Sequence, residues 1–174
     1  MAIAPLVIDG NDVEIEDCFK FLGIHLTNDL NWNSNVMHCI KKAQKCIFYL
    51  RRLRSFHLSS DLLVKFYRAV IESVLTQSIT VWYGSTTAAD RRALERVVKL
   101  AARIIGRDLT PISEIYRSRV ENKACAIIND EFHPANELFE LLRSGKRYRV
   151  IKCNTERFRR SFYPTAVREL NDMK

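Results

Sequence analysis

The sequence predicts a mainly α-helical protein with a short β-hairpin or strand element at its front and a basic C-terminal appendage of short helices. Three observations carry this. From Asn33 onward apolar residues recur at helical spacing; before it, short apolar runs flank Asp9-Gly10-Asn11; and beyond Asp130, basic residues crowd into stretches punctuated by proline and glycine. The boundaries follow: a β element over 1–32, a helical bundle over 33–130 and the appendage over 131–174. With 174 residues, 47% of them hydrophobic, the chain is long enough to bury one sizeable core.

In the front element, "LVI" and "VEIE" read as two short strands about the Asp9-Gly10-Asn11 turn, and "FKFLGIHL" as a further strand with a bend or bulge at Gly23. Asn33 or Ser34 suits the cap of the first helix. At about 100° per residue, Val36, Ile40, Ala43, Ile47 and Leu50 share one stripe, while Lys41, Lys45 and Arg52 fall opposite with His38 and Tyr49. The stretch "CIKKAQKCIFYLRRLR", which has six bases and no acid, therefore buries one side and presents a positive ridge on the other.

"SSDLLVKFYRAVIESVLTQSITVWYG" opens on serine caps and is apolar around most of its circumference. It reads as one largely buried central helix, whose narrow polar line runs Asp61, Lys65, Arg68, Glu72, Thr76 and offers Asp61–Lys65 and Arg68–Glu72 ion pairs. The next helix, "TTAADRRALERVVKLAARIIG", has Thr87 as its cap and Gly106 as its stop. Leu94, Val97, Val98, Ala101, Ile104 and Ile105 form its core face; Arg92, Arg96, Lys99 and Arg103 occupy a narrow arc opposite, with Glu95 nearby. Like charges stacked at three- and four-residue spacing repel one another unless a polyanion lies alongside.

Pro111 suits the first position of a helix over "PISEIYRSRVENKACAIIND"; "HPANELFELL" reads as a short helix, "RSGKRYR" as a turn, and "YPTAVRELN" as a last helix opened by Pro164. From Arg143 to Arg160 there are eight bases, among them Lys146, Arg147, Arg149, Arg157, Arg159 and Arg160, against one acid, Glu156. Tyr148, Phe158 and Phe162 are interleaved with them, as in segments that stack on bases and also in appendages that dock onto a core.

Charge points to the class of partner. The net charge is +8, yet residues 1–33 hold Asp9, Asp12, Glu14, Glu16, Asp17 and Asp29 against Lys20 alone, so the remainder is strongly basic and suits a polyanion. No apolar run approaches about 18 residues and no signal peptide is evident, so the chain is expected to be soluble and intracellular, with no membrane partner. Five cysteines without close spacing are expected to stay reduced. On a helix Cys39 and Cys46 stand about 10.5 Å apart in rise, beyond the roughly 7 Å that a disulfide spans.

No constellation for catalysis stands out. There is no HxD or HxE for a non-haem iron oxygenase, no GxGxxG, P-loop, GxSxG or HExxH, and the four histidines sit in "IHL", "MHC", "FHL" and "FHP". The reading is a non-enzyme with no cofactor, no metal site and no small-molecule substrate.

The segments "FKFLGIHLTNDLNW", "IKKAQKCIFYLRRLRSF", "FYRAVIESVLTQSITVWYG", "LERVVKLAARIIG" and "SGKRYRVIKCNTERFRRSFYPTAVRELN" together resemble the C-terminal end of reverse transcriptases from LINE-type (non-LTR) retrotransposons. The resemblance covers nearly the whole chain. It implies that Phe21, Leu22 and Gly23 match the primer-grip strand at the end of the palm, that the following helices form a thumb-like bundle, and that the catalytic palm with its paired aspartates would lie upstream. The same region is similar to the N-terminal domain of an alkylated-DNA-repair AlkB homologue, although the residues of an iron- and 2-oxoglutarate-dependent oxygenase or of a methyltransferase are not among these. The resemblance thus implies a fold and a partner without an activity. Nucleic acid, as RNA–DNA hybrid or duplex DNA, would be held through backbone phosphates with weak sequence preference. Lys41, Lys45, Arg52, Arg92, Arg96, Lys99 and Arg103 are the contacting sets and the Arg143–Arg160 tail an auxiliary clamp. The alternative is a helical protein-interaction module, or a transposon remnant with no independent activity.

Overall fold

The computed structural model describes residues 6–173. Met1 to Pro5, the start of the expected β element, and Lys174 lie outside the described residues. The chain is mainly helical, with two small antiparallel hairpins at its front.

β1 (Val7–Ile8) pairs with β2 (Asn11–Asp12) about Asp9 and Gly10, whose φ values of 50° and 79° are those of a tight two-residue hairpin turn. The expected strand over Val13–Glu16 does not form. The Val13 N–H still reaches the Leu6 carbonyl at 2.7 Å, but everything through Glu16 is exposed, so no surface is present to bury Val13 and Ile15. "FKFLGIHL" is a hairpin rather than one bent strand: β3 (Cys18–Phe21) pairs with β4 (Ile24–Thr27). Alternation is the same in either arrangement. The reversal needs positive φ at Leu22 (47°) as well as Gly23 (84°), and Leu22 is held there as its carbonyl accepts from Gln77 Nε2 at 3.1 Å.

α1 (Asn33–Ser55) buries Val36, Ile40, Ala43, Ile47 and Leu50, as its periodicity predicts. Its cap is a correction: Trp32 precedes the helix and no side chain caps it. Asn33 instead donates from Nδ2 to Asp90 Oδ1 at 2.9 Å, and Ser34 Oγ lies 3.9 Å from Cys18 Sγ. A tertiary partner has taken the group that local chemistry would have used.

The central segment is not one helix. It begins as expected, with Ser59 accepting from the Leu62 N–H, and runs as α2 (Ser60–Phe66), a π-helical turn (Tyr67–Glu72) and α3 (Ser73–Leu75). It then breaks at Ser78, left-handed at φ 48°, before α4 (Ile79–Trp82) and a 3₁₀ turn (Tyr83–Ser85). Side chains help satisfy the carbonyls at the break: Thr76 accepts from the distant Arg119 Nη1 at 2.6 Å as well as from the Ile79 N–H at 3.3 Å, and Gln77 accepts from Trp82 Nε1 at 2.8 Å. The wider π turn also displaces the polar line, so that Thr76 is fully buried, its hydroxyl donating back to the Glu72 carbonyl at 2.8 Å. The expected Asp61–Lys65 pair gives way to Asp61–Arg107, and Arg68 and Glu72 make no salt bridge among those of the described residues.

α5 (Ala88–Ile105) has the predicted ends. Thr87 and Asp90 form a reciprocal capping box, and Gly106 closes the helix at φ 77°. Its core face is buried except Ile104, which is half-buried. Asp90 joins the start of α5 to the start of α1, while Ser60 Oγ, just past the end of α1, donates to the Ile105 carbonyl at 3.2 Å. α1 and α5 therefore run side by side in one direction, with α2 returning between their ends.

α6 (Ile112–Ile128) buries Ile112, Tyr116, Val120, Ala124 and Ile127; Pro111 precedes it as its cap rather than standing at its first position. A 3₁₀ turn (Asn136–Phe139), an antiparallel bridge of Leu141 with Tyr148 and α7 (Glu156–Arg159) lead to α8 (Phe162–Asp172), which packs on α6. Pro164 is the third residue of α8, which starts after Ser161. The appendage is thus docked, and Gly84 marks a close approach of its backbone to the bundle. A Cβ there would sit 2.8 Å from the Tyr116 hydroxyl and well inside contact distance of the Arg160 carbonyl. Gly84→Ala should cost about 1–3 kcal/mol and expose 143–160 to protease, because backbone must move to admit the methyl group. Unchanged melting and proteolysis would show that the approach is not tight.

Candidate nucleic-acid interface

The site is built on the outer sides of α1 and α5. Because the capping box and Gly106 fix the length of α5 and its apolar face fixes its rotation, Arg92, Arg96, Lys99 and Arg103 all stand exposed on its solvent side. Arg92, Arg96 and Lys99 line one concavity, with Arg91, Tyr83 and the start of α6; Arg103 is not among its lining residues. Arg91, not foreseen as structural, is committed inward: it donates to the Tyr83 and Gly84 carbonyls at 3.3 and 2.9 Å and lies 5.0 Å over the Tyr83 ring. Glu95 accepts from the Ser113 N–H at 3.4 Å. Glu95 is the one carboxylate among the residues that line that concavity.

On α1, Lys41 and Lys45 are exposed and share a second concavity, whereas Arg52 lies near the far end, 5.7 Å over the Phe56 ring. Lys20 from β3 joins Lys41 and Lys45, together with His38 and Lys42. Sequence reasoning missed Lys20 and Lys42, since the first arrives only when the hairpin leans on α1 and the second lies at the margin of the helical arc. His25 of β4 packs its ring 4.3 Å from that of His38, and its backbone N–H donates to Asn35 Oδ1 at 3.1 Å.

Burial, then the charges of His25, Lys20, Lys42 and Lys41, hold His38 below its ordinary value of 6.5. The unfolded chain therefore takes up this proton before the folded one does. The contribution to stability is full above pH 6.5 and is lost as the pH falls through the lowered folded value. Melting temperature should fall less steeply on acidification in His38→Gln than in the parent; identical pH profiles would contradict this.

In the tail, Arg157 donates to the Asp29 carbonyl, and Arg159 and Arg160 pair with Glu156 at 3.3 and 2.9 Å. Arg157 and Arg160 gather beside Trp32 and Thr87, at the starts of α1 and α5. Arg149 pairs with Glu140 at 3.3 Å, while Lys146 and Arg147 stand exposed in the turn. Tyr148 and Phe162 pack against the core, and Phe158 is exposed. Phe21 ends β3 and is exposed, as is Leu22; Gly23 completes their turn against Gln77. Thus Lys41 and Lys45 are brought together, as are Arg92, Arg96 and Lys99. The tail arginines are spread over separate places and spend part of their charge internally.

Among the described residues no group of three or more His, Cys, Asp or Glu is placed to hold a metal ion. No helix among them is long and apolar enough to cross a membrane. All five cysteines are free thiols.

A protein-family model described as alkylated DNA repair protein alkB homolog 8, N-terminal, matches residues 32–73. The matched span is α1, α2 and the π turn, the helical hairpin at the heart of the bundle. No curated protein and no solved structure matches the chain.

Proposed function

We propose that the chain is a non-catalytic module that holds nucleic acid by its backbone, in the manner of the thumb of a non-LTR retrotransposon reverse transcriptase. The observation that carries this reading is the α5 stripe: four cations on one exposed face, with Glu95 beside them partly engaged by Ser113. Such a face costs the isolated helix stability and is relieved when phosphates lie along it. Lys41 and Lys45 extend the positive surface on the neighbouring helix. Contacts of this kind position a duplex and carry little sequence information, so hybrid and duplex DNA are both accommodated. In a longer product the front hairpins would adjoin an upstream polymerase palm.

A second reading, a protein-docking module, draws on the exposed Leu6, Val7, Ile8, Phe19, Phe21 and Leu22 of the front hairpins. Fluorescence anisotropy of a labelled duplex over a series of salt concentrations separates the two. The nucleic-acid reading expects log affinity to fall linearly and steeply with log salt. Binding that is absent at low salt would favour protein docking.

A further inference from the structure

The concavity between the β3–β4 hairpin and α1 is not explained by a ridge of independent phosphate contacts. It is concave, it draws on two separate elements, β3 and α1, and no carboxylate lines it. His38 is faced by Lys20 from β3, His25 from β4, and Lys41 and Lys42 from its own helix. Behind it, His25 Nε2 is buried with no hydrogen-bond partner among the described residues, and Cys18 Sγ lies 4.0 Å from His25 Nδ1. Compact ammonium groups from a helix and a neighbouring strand around one concavity suit a small, multiply charged oxyanion better than a planar carboxylate.

We propose that this concavity is a phosphate-binding site in which Lys20, Lys41, Lys42 and Lys45 supply the charge and His38 takes up a proton from solvent as the anion binds. The inference rests on the nucleic-acid reading only for the source of the phosphate, since internal and chain-terminal phosphates share this chemistry. The mechanism is electrostatic. Without an anion, the surrounding cations, the partial burial of the ring and the neighbouring His25 oppose a further positive charge on His38. A phosphate placed among the lysines reverses the local field, the imidazolium becomes favourable, and the ring gains a second N–H donor. By linkage, binding takes up a proton and tightens as the pH falls through the histidine range.

The direct test follows the His38 Cε1–H resonance through a pH titration with and without inorganic phosphate, at ionic strength matched with chloride. Phosphate should raise the midpoint, and the shift should shrink in Lys20→Gln/Lys42→Gln. Calorimetry of a short duplex in buffers of different ionisation enthalpy should show proton uptake that disappears in His38→Gln. Uptake with both 5′-hydroxyl and 5′-phosphorylated duplexes assigns internal phosphates, and uptake with the phosphorylated one alone assigns the chain end; either supports the site. An unmoved His38 midpoint, a shift retained in full by the double-lysine variant, or an equal response to polyglutamate overturns it. Salt-dependent duplex binding without proton uptake would sink this site and leave the α5 stripe standing. A His38 response to phosphate with no duplex binding would do the reverse.

Discussion

Trp82→Ala is expected to lower the stability of the bundle by about 3–5 kcal/mol. Trp82 is fully buried, packs edge-on to Tyr83 with ring centroids 6.0 Å apart, and donates from Nε1 to the Gln77 carbonyl at 2.8 Å. It ends α4, the short helix that follows the break at Ser78, so its loss opens a large cavity and also strips a partner from a carbonyl that the break leaves outside any helix. The damage should spread to the front hairpin, because Gln77 also holds Leu22. Trp82→Phe keeps much of the volume but not the N–H, and should fall between parent and alanine variant. Urea denaturation measures both. A loss below about 1 kcal/mol for the alanine variant would mean that the break is held by something other than Trp82.

The break shows where sequence reasoning stops. The stretch from Ser59 to Gly84 has no interior glycine or proline, and its apolar residues fit a continuous helix. What ends it is a set of partners supplied by the fold, Arg119 lying 43 residues from the carbonyl it satisfies. The diversion of Asn33 from a cap to Asp90, 57 residues away, has the same origin. By contrast, Thr87 with Asp90 and Gly106 are local chemistry, and both ends of α5 were legible for that reason. The core stripes of α1 and α5 were legible because a single period fixes them. The exposure of Arg92, Arg96, Lys99 and Arg103 followed directly from that period.

The candidate site divides along the same line. Its α5 half lies on one helix and can be read off a wheel. Its α1 half needs Lys20 and His25, carried in by a hairpin whose turn at Leu22 and Gly23 depends on Gln77. In the tail, composition suggested a clamp, but Glu156 and the Asp29 carbonyl engage three of its arginines, pairings that charge counting does not reveal.

The central claim, that the α5 stripe contacts phosphates, is tested most directly by the salt dependence of duplex affinity in Arg96→Gln/Lys99→Gln beside the parent. Both side chains are exposed and lie opposite Leu94, Val98, Ala101 and Ile105, so the variant should fold, and relief of like-charge crowding is worth a few tenths of a kcal/mol at about the level of helix-surface pairs. Ile47→Ala is the control for unfolding; Ile47 is buried in the core, and its truncation should cost about 2–5 kcal/mol. The account predicts that the log–log slope becomes shallower by about 0.9 for each lost contact, and that affinity falls almost uniformly across duplex sequences. A Gln variant that binds as tightly as the parent at every salt concentration would contradict it.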